Sequence, residues 1–559
     1  MNNQNSRILF NLGQYRDQVE ARLTTWVQHH FLKRLWSKDH TLWSPELLPE
    51  LTDRLGWLTL PERMIEDLHD ILQFADEIKS DGISQVVLLG MGGSSLAPEV
   101  LADSFGSAPG CPQLVVLDST HPDAVIGVRE GLDLKNTFFL VSSKSGTTLE
   151  TISLFRYFWE EIRRIRIDPG MHFAAITDPD SPLTDLAAER EFRAVFEAPV
   201  DLGGRFSALS VFGLVPAALI GMDVRCFLDQ AMRAVQDCAE GVLESDSTAL
   251  ILGALLGELS GDRNKVTFLT SQSLSSFSDW VEQLMAESTG KEERGILPVV
   301  NEPFAQSSVY GKDRLFVGLF LEGDAHKELE TAFVNMEASG HPTVRINLRD
   351  RYDLGQEFFR WEVAIAAACS VMGTNPFNQP DVQLSKDYTR RVMNNAIEEG
   401  EALGKADSAL PDILSISNRE QLALELEKWM GQAQPGDYIA LQAYLAPTPD
   451  VGNALQGIRL ALLERTHLAT TLGYGPRYLH STGQLHKGGP NCGLFLQLVA
   501  ESENPVNVPE TGYTFNSIIQ AQGIGDFKAL TERQRRVIRV NLGANVLEGF
   551  EMLREVVSL

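Results

Sequence analysis

Short apolar runs alternating with longer amphipathic stretches constrain this chain more than any other feature. QVVLLG (85–90), PQLVVLDST (112–120), TFFLVSS (137–143), HFAAITD (172–178) and RAVFEAP (193–199) are each about one strand long, with helical spacing between them. Strands buried on both faces read as unbroken apolar runs, and their alternation with helices points to a mostly parallel sheet covered on both sides. The pattern lapses over 201–262, where GGRFS precedes apolar helical segments. It resumes at KVTFLTS (265–271), RLFVGLFLEG (314–323) and HPTVRINLRD (341–350). The predicted fold class is α/β, with two tandem αβα sandwiches over 81–245 and 246–400. A helical N-terminal arm (1–80) precedes them, with Val19, Leu23, Trp26 and Val27 at helical spacing. A C-terminal α/β segment (401–559) follows. It begins in a polar, acidic stretch with one strong helix, Arg419 to Met430, and continues through DYIALQAYL, HLATTLGYG and GLFLQLV to a long final helix.

At 559 residues the chain exceeds what one core supports. Its formal net charge of −27 argues against nucleic acid as the main partner. The same charge makes local cations informative, because an anionic substrate needs a few of them inside a repelling field. The five cysteines (111, 226, 238, 369 and 492) lack CxxC spacing, which predicts neither a disulfide framework nor a zinc site. MNNQNSRILFNLGQ has no signal-peptide apolar region, and no run approaches 18 apolar residues. The expectation is a cytoplasmic protein without metal or redox cofactor and without membrane attachment.

Two turns carry the chemistry. In GMGGSS, Gly90, Gly92 and Ser95 imitate a dinucleotide fingerprint with its last glycine replaced, and Asp118 ends the next strand 28 residues after Gly90. Gly93 and Ser94 at a helix start suit a compact phosphate equally well. The neighbouring strand ends in SSKSGTTLET, where Ser143, Lys144, Ser145, Thr147 and Thr148 surround Gly146. Parallel neighbours present their carboxyl ends on one sheet edge, so two hydroxyl turns there favour a clasp for a phosphate monoester.

GMGGSSLAP and SKSGTTLET, taken with GGRFSALSVFGL (203–214), MAESTGK (285–291) and NPFNQPDVQLSK (375–386), resemble the sugar-isomerase (SIS) fold and, within it, the glucose-6-phosphate isomerases. The match is similar to the isomerase half of bacterial transaldolase/isomerase fusions and runs from about residue 80 to the C-terminus. Every region is already used, which leaves no room for a transaldolase barrel. The resemblance implies reversible interconversion of glucose 6-phosphate and fructose 6-phosphate through a cis-enediolate, a homodimer, and a possible association with transaldolase.

In FSDWVEQLMAE the apolar stripe of Phe277, Trp280, Val281 and Leu284 brings Glu287 onto the inward face, where a carboxylate in partly apolar surroundings suits proton transfer. The resemblance makes Glu287 the base. Arg205, behind two glycines, offers a fixed charge and a fork of donors for an enediolate oxygen. The resemblance also assigns Lys386 to ring opening, Gln379 to phosphate contact, and Glu150 to organising the pocket. A glutamate is usual in the family where Gln383 stands.

The family's ring-opening histidine lies between the glutamate and the lysine in sequence, within a segment like LHSxGQ. No histidine lies between Glu287 and Asp313, and RYLHSTGQLHKGG appears instead at 477–489. His480 is the candidate by local pattern, with His486 in reserve. Histidine suits passing a proton to a ring oxygen, and geometry rather than chain order defines a catalytic set. Three other readings compete. A non-catalytic sugar-phosphate regulator should have lost the base, which is present. A nicotinamide-dependent dehydrogenase leaves the Ser/Lys/Thr turn unexplained. A sugar-phosphate amidotransferase needs an N-terminal cysteine and glutaminase domain, and MNNQN supplies neither.

Overall fold

A computed structural model describes residues 7–399, 413–500 and 505–558, without side chains for 395–399. Three five-stranded sheets organise it. The first runs β3(Gln113–Leu117)-β2(Gln85–Gly90)-β4(Thr137–Ser142)-β5(Phe173–Thr177)-β6(Ala194–Glu197), all parallel. The second runs β8(Leu297–Val299)-β7(Lys265–Thr270)-β9(Arg314–Leu321)-β10(Thr343–Leu348)-β1(Ile8–Asn11). The third runs β13(Ala469–Tyr474)-β12(Tyr438–Tyr444)-β14(Gly493–Val499)-β15(Arg536–Asn541)-β11(Ile413–Ser415), again all parallel.

The three sheets share one strand order. In each, the chain begins on one strand, crosses to one side for the next, then returns past the first to build the other side. Only the fifth strand differs in origin. It closes the first unit as β6, comes from the N-terminus as β1, and precedes its unit as β11. The arm is therefore not purely helical, because Ile8–Asn11 extends the second sheet antiparallel to β10, with Ile8 opposite Ile346 and Phe10 opposite Val344. The C-terminal α/β segment contains a full third sheet. Its strands carry a buried polar row across the register, with Gln442 beside Gln497 and Gln497 beside Arg539, which breaks the apolar signature seen in the other two.

The alternating runs are buried on both faces as their composition demands. Val86–Leu89 and Phe138–Val141 are wholly inaccessible. One continuous core joins the arm to the first and second sheets, while Leu441, Leu455, Leu496 and Leu553 belong to a separate core around the third. Between them lies the Ser275–Thr289 helix, buried on every side from Ser276 onward except at Asp279. It packs on the Leu354–Met372 helix, where the Trp280 and Phe358 rings meet edge-on at 4.5 Å, and on the short Gly483–Gly488 helix. Among the described residues no helix is long and apolar enough to cross a membrane.

Glu362, in the middle of the Leu354–Met372 helix, is buried, and neither carboxylate oxygen has a hydrogen-bond partner among the described residues. Burial alone pushes its pKa well above the usual glutamate range. The native state then keeps a proton that the unfolded chain releases above about pH 4.3, so this group destabilises the fold progressively as pH rises. Glu362→Met is expected to stabilise the protein by about 1–3 kcal/mol at neutral pH. In calorimetry, the gain in Tm should be larger at about pH 8 than at about pH 5.

Candidate active site

The carboxyl ends of β2 and β4 lie side by side where the first sheet's strand order reverses, the place where open α/β sheets collect ligands. The turn after β2 is a 3-10 turn, Gly92–Ser94, with Gly92 at φ +55°. A Cβ on Gly92 would come within 2.9 Å of the His480 carbonyl oxygen, and one on Gly93 within 2.1 Å of the Gly204 carbonyl oxygen. These two glycines are thus where the His480 and Arg205 segments dock against the first sheet. Ser94 is buried, and its carbonyl accepts from the Ser142 hydroxyl at 3.0 Å. Asp118 is ion-paired with Arg477 at 3.1 Å and accepts from the Ser95 hydroxyl at 3.3 Å, which occupies the acid a ribose would need.

The turn after β4 keeps its hydroxyls in two pairs, Ser143 with Thr148 at 2.9 Å and Ser145 with Thr147 at 3.1 Å. Gly146 sits at φ +68°, and a Cβ there would meet the Leu183 amide nitrogen at 2.7 Å. Thr148 precedes the Leu149–Arg163 helix without capping it through its side chain. The start of that helix opens beside a cavity of about 630 Å³ whose walls include Ser145, Thr147, Thr148, Glu150, Lys386 and His480. Ser143 lies beneath the turn and braces Thr148 rather than lining the cavity. Lys144 departs from expectation. Its ammonium pairs with Asp178, in the loop after β5, and does not line the cavity.

Arg205 is 1% exposed and has all five N–H groups engaged. Nε donates to Ser288 (2.8 Å), and Nη1 donates to Glu287 (3.0 Å) and to Gln379 (2.6 Å). Nη2 donates to the carbonyls of Pro376 and Asn378. Burial draws its pKa down while Glu287 opposes that, and an arginine remains charged regardless. The other oxygen of Glu287 accepts from Gln283 at 3.3 Å. The apolar stripe is present, yet the carboxylate at its end faces a guanidinium and an amide rather than hydrocarbon. Gln379 is held by Arg205 and, like Arg205 and Glu287, sits outside the cavity lining.

Lys386 lines the cavity from the Val382–Glu399 helix and has no hydrogen bond or ion pair among the described residues. Gln383, one turn earlier, bonds Asp387 at 2.8 Å. The displaced histidine reaches the same place. His480 ends a 3-10 turn that follows β13, and its Nε2 lies 3.1 Å from Glu150 Oε1. Its backbone carbonyl accepts from Gln283 at 2.7 Å, so one amide bridges the His480 segment and Glu287. Burial pushes the Glu150 carboxyl up, but His480 and then Lys386 outweigh it, and its pKa ends below the usual range. Glu150 is therefore an anion that orients the imidazole. His486 is a core residue packed among Tyr438, Tyr478 and Phe495, and burial, followed by the Lys487 charge, pulls its pKa down to about 3.

Several supporting residues were not singled out from sequence. Lys291 is buried and donates to the carbonyls of Asn375 and Asn378 (2.6 Å each) and to Asn378 Oδ1 (2.9 Å), with burial and then Arg205 lowering its pKa to about 7. Gln484 bonds the Asp381 carboxylate and the Gly290 carbonyl at 2.8 Å each, and so locks three of the motifs together. Lys487 lines the cavity while paired with Asp526 at 2.7 Å. Lys291 and Gln484 lie inside quoted motifs, so the signal was present. Asp526 had none beyond a charge in a small-residue helix.

The sequence model of the family described as phosphoglucose isomerase matches residues 68–302, a span that holds both turns, Arg205 and Glu287. Over that span the chain is similar to the phosphoglucose isomerases. Similar curated relatives include the glucose-6-phosphate isomerase of Rubrobacter xylanophilus, 29% identical over 388 residues, which are 61% of this chain and 89% of that one. The enzyme of the same name from Staphylococcus saprophyticus is 28% identical over 385 residues, 60% and 86% of the two chains. Among solved structures, a hypothetical protein from Thermus thermophilus superposes with a TM-score of 0.60 at 24% identity, covering 69% of this chain and all of its own. A glucose-6-phosphate isomerase from Chlamydia trachomatis gives 0.54 at 20% identity, covering 73% and 89%. At these identities the structural likeness is one of fold. Lys386 and His480 fall outside the family-model match, so their placement rests on the geometry above.

The two histidines are expected to separate cleanly. His480→Ala should lower sugar-phosphate isomerisation by about 10²-fold or more in a coupled assay. His486→Gln should lower Tm while leaving turnover near the parent's.

Proposed function

We propose that this chain catalyses the reversible isomerisation of glucose 6-phosphate and fructose 6-phosphate by acid–base proton transfer. The observation that carries the reading is the meeting of His480, delivered by the third sheet, with Glu150 beside the hydroxyl turn of the first, on a cavity also lined by Lys386. The phosphate sits against Ser145, Thr147 and Thr148 at the start of the Leu149–Arg163 helix, where amides and hydroxyls favour an anion. Binding energy from this non-reacting end orients the carbons.

His480, held by Glu150, passes a proton to the ring oxygen as the bond from that oxygen to C1 breaks and takes up the proton the anomeric hydroxyl loses, while Lys386 steadies the developing negative charge. Glu287 then removes the C2 proton of the open-chain aldose, leaving a cis-enediolate whose O2 proton passes to O1, and returns its own proton to C1 to give the ketose. Because Arg205 has every N–H bound to protein, its part is electrostatic. Its charge lies 3.0 Å from Glu287 and offsets the enediolate in a buried setting, where such fixed charges act most strongly. The scheme moves protons among side chains only, so EDTA is expected to leave turnover unchanged. The same reading places the enzyme in the cytoplasm, in glycolysis and gluconeogenesis, as a homodimer with transaldolase as a possible associate. Its support is the family resemblance.

The test is fructose 6-phosphate converted to glucose 6-phosphate, followed by NADP reduction through a separate dehydrogenase. Glu287→Gln should keep saturable sugar-phosphate binding and lose turnover by about 10²-fold or more. Near-parent turnover would remove Glu287 from the mechanism. Binding without turnover in the parent would point to a regulator.

A further inference from the structure

The Phe515–Glu532 helix carries two buried polar side chains one turn apart, Gln522 and Asp526, 3% and 0% exposed. The stretch between and before them is small or apolar, AQGIG, so their partners must come from other elements. A capping box at Thr514 and Ser517 fixes where the helix starts. Gly525 fixes how closely it approaches the Val382–Glu399 helix, since a Cβ there would lie 2.6 Å from Thr389 Oγ1.

Gln522 reaches the first sheet. Its Oε1 accepts from Thr120 Oγ1 at 2.9 Å, and its Nε2 donates to Glu150 Oε1 at 2.7 Å. That carboxylate oxygen is the one that meets His480 Nε2 at 3.1 Å. The Glu150 anion can only accept, so it fixes the amide with Nε2 toward the carboxylate and Oε1 toward the Thr120 hydroxyl, and the amide holds Glu150 beside the imidazole. Asp526 acts on the flanking backbone. It accepts from Ser385 (3.1 Å), the residue before Lys386, from Lys487 (2.7 Å), and from Tyr478 (2.8 Å), two residues before His480.

We propose that Gln522 is a positioning residue of the isomerase reaction, holding Glu150, and through it the His480 imidazole, at the wall of the sugar-phosphate cavity, while Asp526 fixes the segments that carry Lys386 and His480. The inference rests on reading His480 and Glu150 as the ring-opening pair. The charged or titratable groups that face Glu150 are His480 from the turn after β13 and Lys386 from the Val382–Glu399 helix. The neutral amide adds a donor to the carboxylate without adding charge, and the Lys487–Asp526 pair one turn away is internally compensated.

Two variants and two readouts test this. Gln522→Ala is expected to lower kcat for fructose 6-phosphate by about 10²-fold with KM unchanged, because the clasp at the phosphate end is untouched. Gln522→Glu keeps the shape but sets a second carboxyl beside Glu150. Only when the two share a proton is the donor restored, so its deficit relative to the parent should be largest near about pH 8 and shrink toward about pH 6. Parent-like kcat in both variants, with no pH trend in the ratio, would overturn the proposal while leaving the isomerase reading intact. The second readout needs no turnover. The His480 imidazole resonance, assigned by its loss in His480→Gln, should move in chemical shift in Gln522→Ala, and an unmoved resonance would overturn the proposal. If the parent shows no isomerase turnover, the functional reading fails separately, and this chemical shift alone decides whether Gln522 positions His480.

Discussion

A guanidinium with 1% exposure must find a partner for every N–H, and the partners Arg205 finds come from two other parts of the chain. Glu287 and Ser288 belong to the central Ser275–Thr289 helix, and Gln379, Pro376 and Asn378 to the loop that leads into the Lys386 helix. Arg205 itself stands beside Gly204, whose carbonyl leaves no room for a side chain on Gly93. One buried charge thus ties the Gly92–Ser94 turn, Glu287 and the lysine-bearing segment together. Removing one member of such a buried pair typically costs about 3–5 kcal/mol, because the other charge is left uncompensated. The arrangement exchanges adaptability for fixed geometry, which a proton shuttle acting at two adjacent carbons requires.

Around that charge the three sheets supply different parts. The first offers the hydroxyl turn and the helix start, and the second is flanked by the central helix that carries Glu287. The third delivers His480, Lys487 and the Phe515–Glu532 helix. Because all three share one strand order, each presents its reversal point in the same way, and at the first Gly92 and Gly93 let the His480 and Gly204 backbone come close. Gln484 and Gln283 stitch the third part to the central helix through the Gly290 carbonyl, Glu287 and the His480 carbonyl.

Charge is arranged locally against the global balance. In a chain of net charge −27, Lys386 and Lys487 line one cavity, and Glu150, its acidic wall, is committed to His480 and Gln522. Lys144, the cation nearest the hydroxyl turn in sequence, pairs with Asp178 instead. Under the proposed reading, the anion site is made of hydroxyls and backbone amides, with its positive charge brought by a helix distant in sequence. Neutral donors at a helix start cost less to desolvate than a buried lysine would.

The strands and the central helix were legible in the sequence because period and burial leave a direct trace. Continuous apolar runs mark strands covered on both faces, and the Phe277–Leu284 stripe brought Glu287 inward. The two turns were legible for the same reason, since glycines and hydroxyls at strand ends have few other uses. The third sheet was legible in its strands of DYIALQAYL, HLATTLGYG and GLFLQLV, while Arg536–Asn541, interrupted by the buried Arg539, and the short Ile413–Ser415 left no such trace. The fate of Lys144, the commitment of all five Arg205 donors, and the choice of His480 over His486 were decided only by tertiary structure. Each depends on which groups from distant segments become neighbours, and a one-dimensional pattern records which face a residue points to but not what meets it there.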